Sequence, residues 1–305
     1  MAKEANGYLQ VKPINPVYED MLQTFAHQGI KPAQGGSLRQ MVKLLTERKR
    51  IKPRLYVLSF TGDVQASGVG ALAKEISAIL AVIGPEDEVL LKLESPGGAV
   101  HAYGLASTEL ERLTQANIRL TVVVDKVAAS GGYMMACVAD RIVAAPMAIL
   151  GSIGVIAEVP NISRLLDRLG IRYEQVVAGD HKQPLSIFTE NTAEGREKFQ
   201  EDILRTHELF RAHVQRHRSI KEFDKVSNGG VFYGQEAVSK NLVDELGTSE
   251  ELLIRYCKTH QVFGVHWHWL ESWADRFGWA AGASLSALVG RVNDYLVSVV
   301  VQQPR

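Results

Sequence analysis

Residues Val122 to Met135 read VVVDKVAASGGYMM. A β-branched run ends at Asp125, the small residues Ala128 and Ala129 follow, and a single Ser130 precedes the pair Gly131-Gly132 and an apolar segment. That order is the pattern of a strand, a tight turn and a helix, which makes the surrounding chain an α/β protein. A serine at such a junction is presented rather than buried. The first N–H groups of a helix lack intrahelical acceptors, and that end of the helix is partly positive, so negative charge developing beside Ser130 would be received there. The same small residues also suit plain packing at a strand-to-helix turn, and the stretch alone leaves both readings open.

Working outward, short β-branched runs alternate with amphipathic stretches from Arg54 onward, at the spacing of βα units. The pattern predicts strands at 54–60 and 87–95, a helix over 67–83 with Leu72, Ile76, Ile79 and Leu80 on one face, and a helix over 102–113. A strand at 118–125 and a helix at 131–138 flank the serine. Beyond them come short strands at 141–146 and 148–157, a helix over 161–169 and a strand over 172–177. A polar, turn-rich segment at 178–191 leads into a long helix over 192–217, with Phe199, Ile203, Phe210 and Val214 as its apolar stripe. Smaller helices at 233–241 and 250–258 surround the strand-like LVDEL. In VFGVHWHWL, Phe263, Val265, Trp267 and Trp269 alternate with polar residues as in a half-buried strand, which assigns His266 and His268 to its polar face. Residues 1–53 are polar and mixed, with one amphipathic helix over 38–46, and read as an extension outside the core.

Bulk properties exclude several classes of function. The chain of 305 residues carries 34 basic and 34 acidic side chains, and this balance gives no reason to expect a nucleic-acid partner. Its two cysteines, Cys137 and Cys257, form neither a CxxC metal site nor a disulfide framework. The N-terminus has charges and prolines where a signal peptide needs an apolar run, and no stretch has the roughly 18 uncharged apolar residues of a membrane-spanning helix. The segment 278–290, followed by YLVSVVV after Arg291, is apolar enough to lie against a membrane.

The strand at 87–95 ends in ESPGG, Glu94 to Gly98. In a parallel sheet its loop falls at the same carboxyl edge as the Ser130 turn. Pro96 fixes the turn, and the glycines let a backbone N–H approach an oxyanion. One donor from Gly97 or Gly98 together with the N–H of Gly131 would make a two-donor hole; the bland alternative is an ordinary glycine turn. No GxSxG elbow is present, since Gly151-Ser152-Ile153-Gly154 lacks the spacing. His101 is the nearest histidine to the site but has no clearly placed carboxylate to orient it. Lys182 is the stronger base, standing in a glycine-bearing loop with Leu185, Ile187 and Phe188 nearby to desolvate it. His213 and His217 lie one helical turn apart, a metal-binding spacing, but no third ligand is evident in sequence and they read as a solvated helix face. No metal or cofactor is therefore expected.

Taken together, ESPGG, DKVAASGGYMMACVAD, GSIGV, and AGDHK ahead of NTAEGREKF resemble peptidase family S49, the serine-lysine peptidases that include signal peptide peptidase A, and most closely its single-unit SohB-like branch. The resemblance covers about residues 54–258. It implies an α/β fold of the ClpP/crotonase spiral type, built from ββα units, with an N-terminal extension (1–53), a catalytic domain (54–260) and a C-terminal appendage (261–305). It makes Ser130 the nucleophile, Lys182 the general base and Ser152 an auxiliary hydroxyl for the lysine, beside the oxyanion hole read above from Gly131 with Gly97 or Gly98. It further implies a peptide or protein substrate such as signal-peptide remnants, a ring-like homo-oligomer, and the periplasmic face of a bacterial inner membrane, although this chain begins with the polar residues expected after the usual N-terminal anchor. Two rivals stay open on sequence grounds: a crotonase-like acyl-CoA hydratase or hydrolase, and a non-catalytic membrane scaffold.

Overall fold

A computed structural model describes residues 7–30, 52–179, 182 and 185–270. The chain divides into a large unit, residues 10–266, and a small one drawn from residues 1–9 and 267–305. In the small unit Tyr8 stacks on His268 with ring centroids 5.0 Å apart, and Trp267 meets Trp269 edge-on at 5.8 Å. The expected helix over 38–46, the apolar tail 278–300, Trp273 and Trp279 lie outside the described residues.

The described chain is a mixed α/β structure whose main sheet is rich in parallel pairs, and β1 and β10 each have residues in both units. The strands are β1 (Gly7–Pro13), β2 (Arg54–Thr61), β3 (Glu88–Glu94), β4 (Arg119–Val124), β5 (Val127–Ala129), β6 (Arg141–Ala144), β7 (Ile149–Gly151), β8 (Val231–Tyr233), β9 (Glu245–Leu246) and β10 (Gln261–Trp269). Seven of them form one sheet in the order β1-β10-β2-β3-β4-β6-β9, and β5-β7-β8 form a second. β10, β2, β3, β4, β6 and β9 pair in parallel. Strands covered on both faces read as continuous apolar runs, which is why Leu55–Leu58 and Leu120–Val124 are buried without alternation. Leu55, Val57, Leu90, Val123, Val143, Leu252 and Val262 make one core cluster.

The helices follow the periodicity of the sequence. They are α1 (Asn15–His27), α2 (Val69–Leu80), α3 (Val100–Gln115), α4 (Gly131–Ala136), α5 (Ser163–Arg168), α6 (Ala193–His217), α7 (Phe223–Val226), α8 (Gly234–Ser239) and α9 (Ser249–Thr259). α2 buries Leu72, Ile76 and Ile79, and α3 buries Tyr103, Ala106, Ser107, Leu110 and Leu113 at three- and four-residue spacing. Thr192 caps α6, its side chain accepting the Gly195 N–H at 3.0 Å. At α9 the Asp125 carboxylate, just past β4, accepts from the backbone N–H and hydroxyl of Ser249 at 2.8 and 2.5 Å, tying the serine stretch to the far end of the unit.

Three expectations change. The segment 172–177 forms no strand: it is exposed, Val176 fully so, because no neighbouring strand pairs with it among the described residues and β-propensity acts only on a half-buried pleated surface. The strand expected over 148–157 stops at Gly151, where Ser152 turns to φ 51°. In β10 the deeply buried side chains are Val262 and Val265 rather than the alternating aromatic residues.

Candidate active site

β3 does not end its work at Glu94. The Ser95 N–H donates to Val127 O at 2.8 Å and the Ala129 N–H to Ser95 O at 3.0 Å, so the chain leaves the main sheet by bridging to β5 in the second. That bridge brings ESPGG against the serine turn, as the parallel arrangement predicts. A Cβ on Gly97 would stand 2.7 Å from both the Gly131 nitrogen and Ser130 Cβ, and Gly97 has φ +94°. One on Gly131 would fall 2.4 Å from the Tyr103 ring. Only glycine permits both approaches.

Ser130 itself has φ 52° and ψ −119°, a conformation that L-residues rarely adopt and that surrounding structure must enforce. The enforcement is visible: its N–H donates to Gly151 O at 2.8 Å, and its carbonyl accepts the Met134 N–H at 2.9 Å as α4 begins. The side chain is half-buried at the head of α4. Among the described residues, the N–H groups of Gly98 and Gly131 have no protein acceptor. The Gly97 N–H, in contrast, is committed to Ser95 Oγ at 3.1 Å.

Ser152 reaches the same place by register. Ala129 pairs with Gly151 across the parallel β5–β7 ladder, so Ser130 and Ser152 leave their strands side by side, both at positive φ. Ser152 is pinned through its N–H to Gly230 O at 2.7 Å. Lys182 is different. It is exposed, its N–H donates to Gly179 O at 3.1 Å, and no hydrogen bond joins its amine to Ser130 among the described residues. Ile187 and Phe188, expected to desolvate it, are themselves exposed.

A group that sequence reasoning missed lies beneath the ESPGG loop. The fully buried Tyr103 hydroxyl donates to Asp63 O at 2.8 Å and lies 2.5 Å from Ser95 Oγ, giving the directed chain Gly97 N–H to Ser95, Ser95 to Tyr103, Tyr103 to Asp63. Burial holds the Tyr103 phenol above its usual pKa, so it stays a donor. Nothing in the spacing of Ser95 and Tyr103 announces the pair. Tyr103→Phe is expected to cost about 1–2 kcal/mol by leaving Ser95 and Asp63 short of a buried partner, read as a lower urea midpoint with unchanged slope.

The remaining candidates resolve simply. His101 is exposed at the start of α3. Glu94 pairs with Lys126 at 3.0 Å instead of facing the loop. Cys137 is fully buried and burial pushes its thiol pKa up, as suits a packed thiol. His213 and His217 are not on a solvated face: both are largely covered, because α6 lays that side against α3 and α4.

Comparison with known proteins supplies independent information. Residues 112–262 match the family described as Peptidase family S49, and residues 1–110 match Peptidase family S49 N-terminal. The chain is similar to a Haemophilus influenzae protein named "Probable protease SohB", 48% identical over 242 residues that cover 79% of this chain and 69% of the relative. A Buchnera aphidicola (subsp. Acyrthosiphon pisum) protein of the same name is 45% identical over 247 residues, covering 81% of this chain and 74% of the relative.

Proposed function

We propose, on the premise that the chain belongs to peptidase family S49, that it is a serine endopeptidase working through a Ser130–Lys182 dyad. The observation that carries this reading is the strained Ser130 turn packed against Gly97 of ESPGG, with the N–H groups of Gly98 and Gly131 lacking a protein acceptor among the described residues. Lys182 takes the Ser130 proton as Oγ attacks the scissile carbonyl carbon. The carbonyl oxygen becomes an oxyanion held by Gly98 and Gly131, while Gly97 serves by close approach because its own N–H is spent on Ser95. Collapse expels the amine, which takes the proton from the lysine, and water then releases the acyl enzyme by the same route. Ser152 beside Ser130 supports its reading as the hydroxyl that orients the lysine.

The substrates that fit this reading are peptides and membrane-associated or misfolded protein segments, including signal-peptide remnants. The catalytic unit is taken as residues 54–260 of a ClpP/crotonase-type spiral, flanked by 1–53 and 261–305. The parallel main sheet with a smaller second sheet carrying the serine turn is compatible with that spiral. A second copy of the chain is the natural cover for the exposed apolar residues Ile156, Leu165, Leu169, Ile171 and Val176, and for the exposed Lys182. Placement at the periplasmic face of an inner membrane rests on the family resemblance; among the described residues no helix is long and apolar enough to cross a membrane.

The direct test is a fluorophosphonate probe followed by peptide mass spectrometry. The adduct is expected on Ser130 alone. Acyl-CoA turnover with Ser130 unlabelled would favour the crotonase-like reading, and inertness of both kinds would leave a scaffold.

A further inference from the structure

The side of α6 that carries His213 and His217 meets Glu111 of α3, and the three side chains are only 14, 18 and 15% exposed. The two rings are 4.9 Å apart, and one ligand atom from each of the three residues lies within 4.8 Å of the others. We propose that Glu111, His213 and His217 bind one divalent transition-metal ion of the zinc class, with water completing the shell.

The donor set argues for that class. Two imidazoles and one carboxylate suit zinc and its neighbours, whereas magnesium and calcium require oxygen shells. The i, i+4 spacing on α6 puts both imidazoles on one face of one turn, and Glu111 approaches from a second helix.

The support behind the site is already built. The His213 Nε2–H points to Met134 O at 3.1 Å and to Ser107 Oγ at 3.0 Å, and the Ser107 hydroxyl donates to the same carbonyl at 2.9 Å. This fixes the His213 tautomer with a lone pair on Nδ1, which accepts from Arg216 Nη2 at 3.1 Å and stands 3.9 Å from Glu111 Oε1. A ligating histidine usually anchors its other nitrogen on a carbonyl or carboxylate in this way.

In the structure the three ligands are tied by hydrogen bonds among themselves and to Arg216. His217 Nε2 donates to Glu111 Oε1 at 2.9 Å, and Arg216 Nη2 donates to His213 Nδ1 at 3.1 Å while standing 3.9 Å from the same carboxylate oxygen. The Arg216 guanidinium is thus a placeholder for the cation. Its side chain is 65% exposed, so solvent can replace these contacts when a metal ion displaces it. Binding then needs His217 to move its proton from Nε2 to Nδ1, a tautomer change that leaves the neutral ring neutral. The ligand atoms must also close to the spacing set by bonds of about 2.0–2.2 Å. The ion would join α3 to α6 directly behind Met134, four residues after Ser130.

Zinc chloride titrated into the chelator-stripped full chain, with a chromophoric chelator as competitor, tests the assignment. One equivalent is expected to bind. Glu111→Gln and His217→Ala are each expected to weaken it by at least about tenfold, because losing even an outer partner of a ligand costs that much. Arg216→Ala is expected to tighten binding several-fold, and His101→Ala to leave it unchanged. No stoichiometric binding, or binding indifferent to Glu111→Gln and His217→Ala, overturns the proposal and leaves an ion-pair cluster. Cobalt(II) added to the unaltered chain gives a reading that no variant's folding can confound. Intense visible bands of a low-coordinate nitrogen–oxygen site are expected, and the pale spectrum of the hydrated ion overturns it.

Discussion

Ser130→Ala is expected to lower kcat for hydrolysis of an unfolded or membrane-derived peptide by about four to six orders of magnitude, since the nucleophile of such a unit cannot be replaced by its neighbours. The fold should scarcely notice. The Ser130 side chain makes no capping hydrogen bond to the start of α4, and alanine keeps the same Cβ, so the urea midpoint should move by less than the equivalent of about 1 kcal/mol. A companion variant separates strain from chemistry: Ser130→Gly relieves the cost of φ 52° and is expected to be as inactive as the alanine variant but more stable by about 1 kcal/mol. Turnover retained in both variants would remove Ser130 from the mechanism.

Lys182→Ala should lower kcat by about two to four orders of magnitude, the range for losing a positioned proton acceptor, with KM changed only a few-fold. Lys182→Arg discriminates between two roles. A guanidinium keeps the charge but cannot accept a proton near neutral pH, so a general base predicts that arginine is as poor as alanine. A purely electrostatic role predicts that arginine restores most of the rate. Because Lys182 is exposed in the single chain, its environment in an assembly matters. If a second copy covers the exposed apolar residues Ile156, Leu165, Leu169, Ile171 and Val176, dilution below the dissociation constant should lower specific activity in parallel with the oligomer seen by sedimentation.

The family and the serine were legible in the chain because they are written locally. VVVDKVAASGGYMM and ESPGG are short runs in which each residue type has one backbone use: β-branched for strand, glycine for close approach, serine at the turn. The helices α2, α3, α6 and α9 were legible for a related reason, since burial on one face repeats every three to four residues and needs no knowledge of the partner. Residues 172–177 misled because the same β-branched signal requires a neighbouring strand, and sequence does not say whether one is there.

What the tertiary structure decided was which distant residues meet. The Ser95 bridge to β5 set ESPGG against Ser130, and the Gly97 N–H donates to Ser95 Oγ, a difference between Gly97 and Gly98 that spacing did not show. The register Ala129↔Gly151 put Ser152 next to Ser130 although GSIG has no elbow spacing. Packing of α3 against α6 supplied Glu111 to a histidine pair that lacked a third ligand in sequence. The sequence by itself determined the strand–serine–helix turn, because φ/ψ preference acts within a few residues. The donors, the supporting hydrogen bonds and the third ligand were decided only in three dimensions, because hydrogen bonding and coordination depend on ångström distances between residues that chain separation does not specify.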